Sequence, residues 1–167
     1  AGFVIDTLGN VHDFDNCRAK KVMAWVASLQ GKKGIILHEN NHQREQLRKL
    51  MSLAGQVGYV YGGMGSGKNT ILDEFKFGDL QILVAQQKTI SHGTDGLQNV
   101  CSDALFMQPV WSRDTKIQII GRLHRTGQKN TINFTTLMAR GSLDDTVEDR
   151  QGTKAENKEK FLKHLRQ

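Results

Sequence analysis

The sequence predicts an α/β fold in which one parallel sheet is covered by helices on both faces. Short apolar runs alternate along the chain with longer segments of helical periodicity. The runs are apolar at consecutive positions, which suits strands buried on both sides rather than on one. Glycines close most of the helical segments, so each can cross back to a neighbouring strand in the right-handed βαβ sense.

The elements follow in order. Asp15–Leu29 carries Val22, Met23, Trp25, Val26 and Leu29 at helical spacing and ends at Gln30-Gly31. Gly34–His38 is the first buried strand, and Asn41–Ala54 a helix with Leu47, Leu50, Met51 and Ala54 on one side. Val57–Tyr61 gives a second strand, Gly62–Gly67 a glycine-rich turn, and Lys68–Phe77 a helix built on Ile71, Leu72 and Phe75. Leu80–Ala85 and Asp103–Gln108 supply two more strands, and Ser112 is the expected N-cap of a helix running to His124. Thr131–Met138, with β-branched and aromatic residues, is the fifth strand. From Ser142 the chain reads as a long charged helix, started by the capping-box-like Ser142-Leu-Asp-Asp145. Three regions are expected: an N-terminal linker or extension over 1–14, the α/β lobe over 15–141, and the C-terminal helix over 142–167.

With 167 residues, one sizeable domain is expected and a second full one is not. Cys17 and Cys101 form no CxxC pair, which excludes a disulfide framework and a cysteine-rich zinc module and makes a reducing compartment the expectation. No apolar run reaches the length of a membrane span, so no membrane partner is expected. The net charge of +6 is unevenly placed: residues 1–110 hold eleven basic against ten acidic side chains, residues 111–167 twelve against seven. Arg113, Lys116, Arg122, Arg125 and Lys129 face only Asp114 within 111–130. Such a cluster suits a polyanion, either nucleic acid or a nucleotide triphosphate, although a solvated helix face produces the same run.

Two short motifs suggest chemistry that their surroundings do not support. Gly62-Gly-Met-Gly-Ser-Gly-Lys68 follows the phosphate-binding GxxxxGK pattern, after a strand and before a helix. Asn69 stands where the Mg²⁺-binding hydroxyl belongs, and no later strand ends in the aspartate that would hold the metal. A plain glycine turn is the preferred reading. His38-Glu39-Asn40-Asn41-His42 matches HExxH, but a zinc protease needs both histidines one turn apart on a single helix. Here His38 ends a strand and His42 opens a helix, so no metal site is expected.

The stronger constellation is Gln118-Ile-Ile-Gly121-Arg122-Leu-His124-Arg125-Thr-Gly127-Gln128. Arginines three apart at a helix end lie on one face, and two guanidiniums that never deprotonate suit the charge of a γ-phosphate. The plainer alternative is a pair of exposed salt-bridge arginines.

This QxxGRxxRxGQ stretch resembles motif VI of superfamily 2 helicases and translocases, specifically the SNF2 family. Ser91-His-Gly-Thr-Asp-Gly-Leu-Gln98 is similar to that family's motif V, with Gln98 in place of its usual Asn. Ile35–His38 sits where motif IV falls, and Pro109-Val-Trp111-Ser112 resembles the segment ahead of motif VI. Lys68 and Phe75 match the family's basic residue and Phe seven apart, and Gly141–Glu148 its entry to the C-terminal helix. The Trp-Ser variant resembles phage and bacterial members.

The resemblance implies a RecA-like helicase C-terminal lobe, one half of a motor whose N-terminal RecA-like lobe binds ATP with Mg²⁺. It implies that Arg122 and Arg125 are arginine fingers and that Asp95, Gly96 and Gln118 lie at the nucleotide. It assigns Lys88, Thr89, Ser91 and His92 to the phosphate backbone of DNA, duplex rather than single-stranded or RNA. A cytoplasmic, nucleoid-associated protein of a bacterium or an infected host cell is expected, inactive as an ATPase in the form of this lobe alone. A stand-alone NTPase using Gly62–Lys68 and a non-enzymatic basic nucleic-acid-binding module are the alternatives.

Overall fold

The structure, a computed structural model, describes residues 3–5, 11–13, 17–52, 56–91, 94–147 and 149–150. His92, Gly93 and the expected C-terminal helix beyond residue 150 lie outside the described residues.

Five parallel strands form one sheet in the order β4-β5-β3-β6-β7: β3 (Gly34–His38), β4 (Val57–Val60), β5 (Ile82–Gln86), β6 (Asp103–Phe106) and β7 (Asn133–Thr136). β1 (Phe3–Ile5) and β2 (Val11–Asp13) pair separately as an antiparallel hairpin within the stretch read as a linker. The central β3 aligns Ile35 with Leu83 of β5 and with Ala104 of β6, so the apolar runs stack in register. All five of its residues are buried, whereas the edge strands β4 and β7 are buried at alternate positions or only in part. The apolar run was therefore a faithful sign of a strand covered on both sides.

Alternate side chains of the strands supply two separate cores. On one face Ile35, Leu37, Leu83, Ala85 and Phe106 pack against Leu72 and Phe75 of α3 (Gly67–Phe77) and Ile119 and Leu123 of α5 (Arg113–Leu123). On the other, Ile36, Val84, Leu105 and Met107 meet Val22 and Leu29 from α1 (Cys17–Ser28) and its end, with Leu47 of α2 (Asn41–Leu50). Both α2 and α5 start on side-chain caps: Asn40 accepts from the Gln43 amide and Ser112 from that of Thr115.

Two short elements escaped the sequence reading, α4 (Gln87–Ser91) and the 3₁₀ turn η1 (Leu97–Asn99). Each is too short to show a period and is held by the buried Ile90 and Leu97 instead. Residues 143–147 are helical, and their entry keeps the reciprocal logic of a capping box. Ser142 Oγ accepts from the Asp144 amide at 3.2 Å, and the Asp145 carboxylate accepts from the Gly141 amide at 2.6 Å.

The same segment is tied to the body of the fold. Arg18 of α1 is 6% exposed; it donates to the Met107 carbonyl at 2.6 Å and to the Asp144 carboxylate. Asp144 also accepts from the Ala139 amide at 2.9 Å, and Val147 is buried beside it in sequence.

Candidate functional site

The C-terminal ends of β3, β5 and β6 lie at one rim of the sheet, and the loops that follow them carry the polar residues singled out above. In parallel α/β sheets this rim is where ligands bind. Arg122 sits in the last turn of α5, while Arg125 lies just beyond it, after the helix ends at His124. Both reach back to the loop between α4 and η1. Arg122 Nη1 meets Asp95 Oδ1 at 2.9 Å and Arg125 Nη1 meets the same oxygen at 2.5 Å. Arg122 also donates from Nη2 to the Ser91 carbonyl at 3.4 Å. The two guanidiniums therefore converge on one anionic oxygen, although only Arg122 belongs to the helix, so the shared helix face expected of them does not extend to Arg125.

The loop that presents Asp95 is anchored on either side. Thr94 is buried and its hydroxyl donates to the Thr89 carbonyl at 3.2 Å. Gly96 adopts φ +87°, a left-handed conformation that an L side chain takes only with strain. Asp95 projects outward from between them, its side chain 71% exposed. Gln118 is exposed on α5, one helical turn before Arg122.

Of the residues assigned to a nucleic-acid strand, Lys88 is exposed on α4 and Thr89 half-buried. Ser91 is turned inward: it is 4% exposed and its hydroxyl donates to the Lys88 carbonyl at 3.0 Å. A five-residue helix explains this, because one of its faces must pack on the sheet, and Ser91 shares that face with Gln87. His92 lies outside the described residues.

The two short motifs have the following local settings. Gly63 and Gly65 take positive φ in a turn whose helix-opening amides are already engaged, Lys68 N with the Gly65 carbonyl and Asn69 N with that of Ser66. Lys68 Nζ donates to the Thr89 carbonyl at 3.3 Å, which ties α3 to α4. His38 closes β3 and His42 lies on α2, so the HExxH histidines occupy different elements. His38 is fully buried; burial lowers its pKa from 6.5 to about 4, with the Asn40 carbonyl opposing and Arg44 adding.

One polar feature was not anticipated. Gln108 donates to the Glu39 carboxylate and accepts from Gln43 Nε2 at 2.7 Å, while Gln43 Oε1 accepts from the Glu39 amide at 2.9 Å. Burial raises the Glu39 pKa, against the Gln108 hydrogen bond and the charge of Lys88. Glu39 borders a small cleft of about 60 Å³ that is also lined by Gln87, Lys88, Val110 and Trp111. The available signal was the glutamines at the ends of apolar runs, Gln86, Gln87 and Gln108, since a strand's last residues mark the ligand-facing rim.

No protein-family model matches the chain. Among curated proteins it is 29% identical over 117 residues to the DNA repair protein RAD5 of Candida glabrata, covering 66% of this chain and 10% of that one. It is 28% identical over 142 residues to the DNA repair and recombination protein RAD54B of Gallus gallus, covering 80% of this chain and 15% of that protein. The chain thus spans a small fraction of the length of the relatives it matches. Among solved structures, the C-terminal part of the Fun30 ATPase domain superposes with a TM-score of 0.68 at 17% identity, over 78% of this chain and 42% of that one. The Pyrococcus furiosus Hef helicase domain gives a TM-score of 0.60 at 23% identity, over 83% and 28%. Among the described residues no helix is long and apolar enough to cross a membrane. The chain has the RecA-like α/β fold of a helicase C-terminal lobe, and its sequence similarity runs to DNA-repair proteins of yeast and chicken.

Proposed function

We propose that this chain is the C-terminal lobe of an ATP-dependent DNA translocase of the SNF2 kind, with Arg122 and Arg125 acting as its arginine fingers. The observation that carries this reading is the convergence of both guanidiniums on one anionic oxygen at the ligand-facing rim. Five N–H donors in a planar fork make each arginine a match for phosphate as well as for carboxylate. The N-terminal lobe of the same protein supplies the phosphate cradle and holds Mg²⁺. Arg122 and Arg125 reach across the cleft and stabilise the charge spread over the phosphoryl group in flight. Asp95 and Gly96 place the motif V loop beside them, and Gln118 supports the same helix face.

Contacts to DNA fall to the outward side of α4, where Lys88 is exposed and Thr89 half-buried, and to Trp111, which is 57% exposed at the cleft. Backbone contacts of this type make binding independent of sequence and sensitive to salt, and they suit tracking along a duplex. Closure of the two lobes on ATP and reopening after hydrolysis would then move the protein along the strand. The Trp111-Ser112 pair supports a phage or bacterial parent, acting in the cytoplasm on nucleoid DNA.

The lobe by itself is inactive on this reading. Lys68 is held by the Thr89 carbonyl, and the helix-opening amides behind the glycine turn are bonded within it. The test is DNA-stimulated ATPase of the full-length parent, with Arg122→Ala and Arg125→Ala beside wild type and this lobe as control. Each substitution is expected to lower the rate about a thousandfold, in line with arginine fingers elsewhere, with the lobe silent. Activity that survives either substitution, or hydrolysis by the lobe alone, overturns the reading.

A further inference from the structure

The arginine pair meets a carboxylate of its own chain at the position where the proposed function puts a phosphate. Asp95 Oδ1 accepts from both Arg122 Nη1 and Arg125 Nη1, at 2.9 and 2.5 Å. One negative charge against two positive leaves the cluster with a surplus positive charge, so it still attracts an anion. Packing does not enforce the arrangement. The Asp95 side chain is 71% exposed, that of Arg125 50% and that of Arg122 26%. Exposed ion pairs are individually weak, and a guanidinium exchanges one oxyanion for another without change of geometry.

We propose that Asp95 is a displaceable counter-ion of the arginine pair, a carboxylate that keeps the two guanidiniums together and that the nucleotide's terminal phosphate must displace. The backbone supports this role on both sides. Buried Thr94 anchors the loop through the Thr89 carbonyl, and the left-handed Gly96 turns the chain away immediately afterwards, so Asp95 alone projects from a fixed base. The neighbouring cation on this side, Lys76, is paired with Asp73 at 2.8 Å, so it does not serve as the partner of Asp95.

The consequence is quantitative. While Asp95 holds the arginines, only a fraction of molecules offer them to a phosphate, and apparent nucleotide affinity falls by that fraction. Asp95 would thus act as a built-in brake on nucleotide capture, relieved by closure of the other lobe on ATP. The inference rests on the arginine-finger reading and makes a prediction that a purely structural Asp95 does not. Removal of its charge should tighten binding.

The experiment compares wild-type full-length parent with Asp95→Asn and Asp95→Glu. Affinity for a non-hydrolysable ATP analogue is measured by calorimetry, beside steady-state DNA-stimulated ATPase. Asp95→Asn is expected to tighten binding and lower KM about threefold to tenfold, because the neutral amide is a weaker partner for a guanidinium. Asp95→Glu keeps the charge and is expected to keep wild-type affinity. Unchanged or weakened binding in Asp95→Asn overturns the proposal, and so does a collapse of kcat, which would make Asp95 a group needed in the transition state. If Arg122→Ala and Arg125→Ala leave activity intact, the underlying reading has failed. If they abolish it while Asp95→Asn changes nothing, only the counter-ion has failed.

Discussion

Charge decides the chemistry of this lobe at a few side chains, and burial decides which of them can use it. Arg122, Arg125 and Asp95 keep their contacts at a partly exposed rim, where exchange of partners is easy. His38 is the opposite case. It is fully buried and its Nε2 has no hydrogen-bond partner, so the folded state holds it neutral, with a pKa of about 4 against an ordinary 6.5. Between those values the unfolded chain binds more protons, so this contribution is complete above pH 6.5 and is lost as pH falls toward 4. We expect His38 to remove about 2 kcal/mol of stability between pH 7.5 and pH 5. Glu39, whose pKa is raised by burial, works in the opposite sense at the acid end. Urea midpoints at the two pH values, for wild type and His38→Gln, check this; an equal pH slope in the two proteins would exclude His38 as its source.

Among the elements, length separates what periodicity finds from what it misses. The helices α1, α2, α3 and α5 run ten to twelve residues and show their apolar faces in the sequence. α4 and η1, of five and three residues, exist because Ile90 and Leu97 are drawn into the core beside the sheet. Strand β3 has its own constraint. A Cβ on Gly34 would lie 2.5 Å from Leu29 Cδ1 and 2.8 Å from Trp25 Cη2, where α1 crosses the start of the strand. Gly34→Ala is expected to destabilise the lobe by about 1–3 kcal/mol through overpacking, read from urea unfolding. A neutral result would mean that the side chains of Leu29 and Trp25 give way to the added methyl.

Across the molecule, the C-terminal segment and α1 are joined by the buried Arg18–Asp144 pair, which also reaches the Met107 carbonyl beyond β6. This contact links residues 126 positions apart and fixes how the chain leaves the sheet. Loss of one partner strands the other charge in the interior. Arg18→Met is therefore expected to reduce stability by about 3 kcal/mol or more, with the loss visible as a lower urea midpoint of the chain. Full stability in that variant would show that water reaches Asp144.

The sequence by itself determined the α/β class, five strand runs, the principal helices and the Ser112 cap, because apolar runs and helical spacing are written into consecutive residues. It also singled out Arg122 and Arg125 as a pair, although the helix that was expected to carry both ends before Arg125. It also gave the local setting of both short motifs, Asn69 beside the glycine turn and His38 at a strand end. Only the tertiary structure decided the strand order β4-β5-β3-β6-β7, the inward turn of Ser91 and the Glu39–Gln108–Gln43 network. It alone brought Asp95 to the arginines from 27 and 30 residues away. The physical reason is the same in each case. Local periodicity reports which face of an element is apolar, whereas pairing between distant loops depends on how the sheet aligns the ends of its strands.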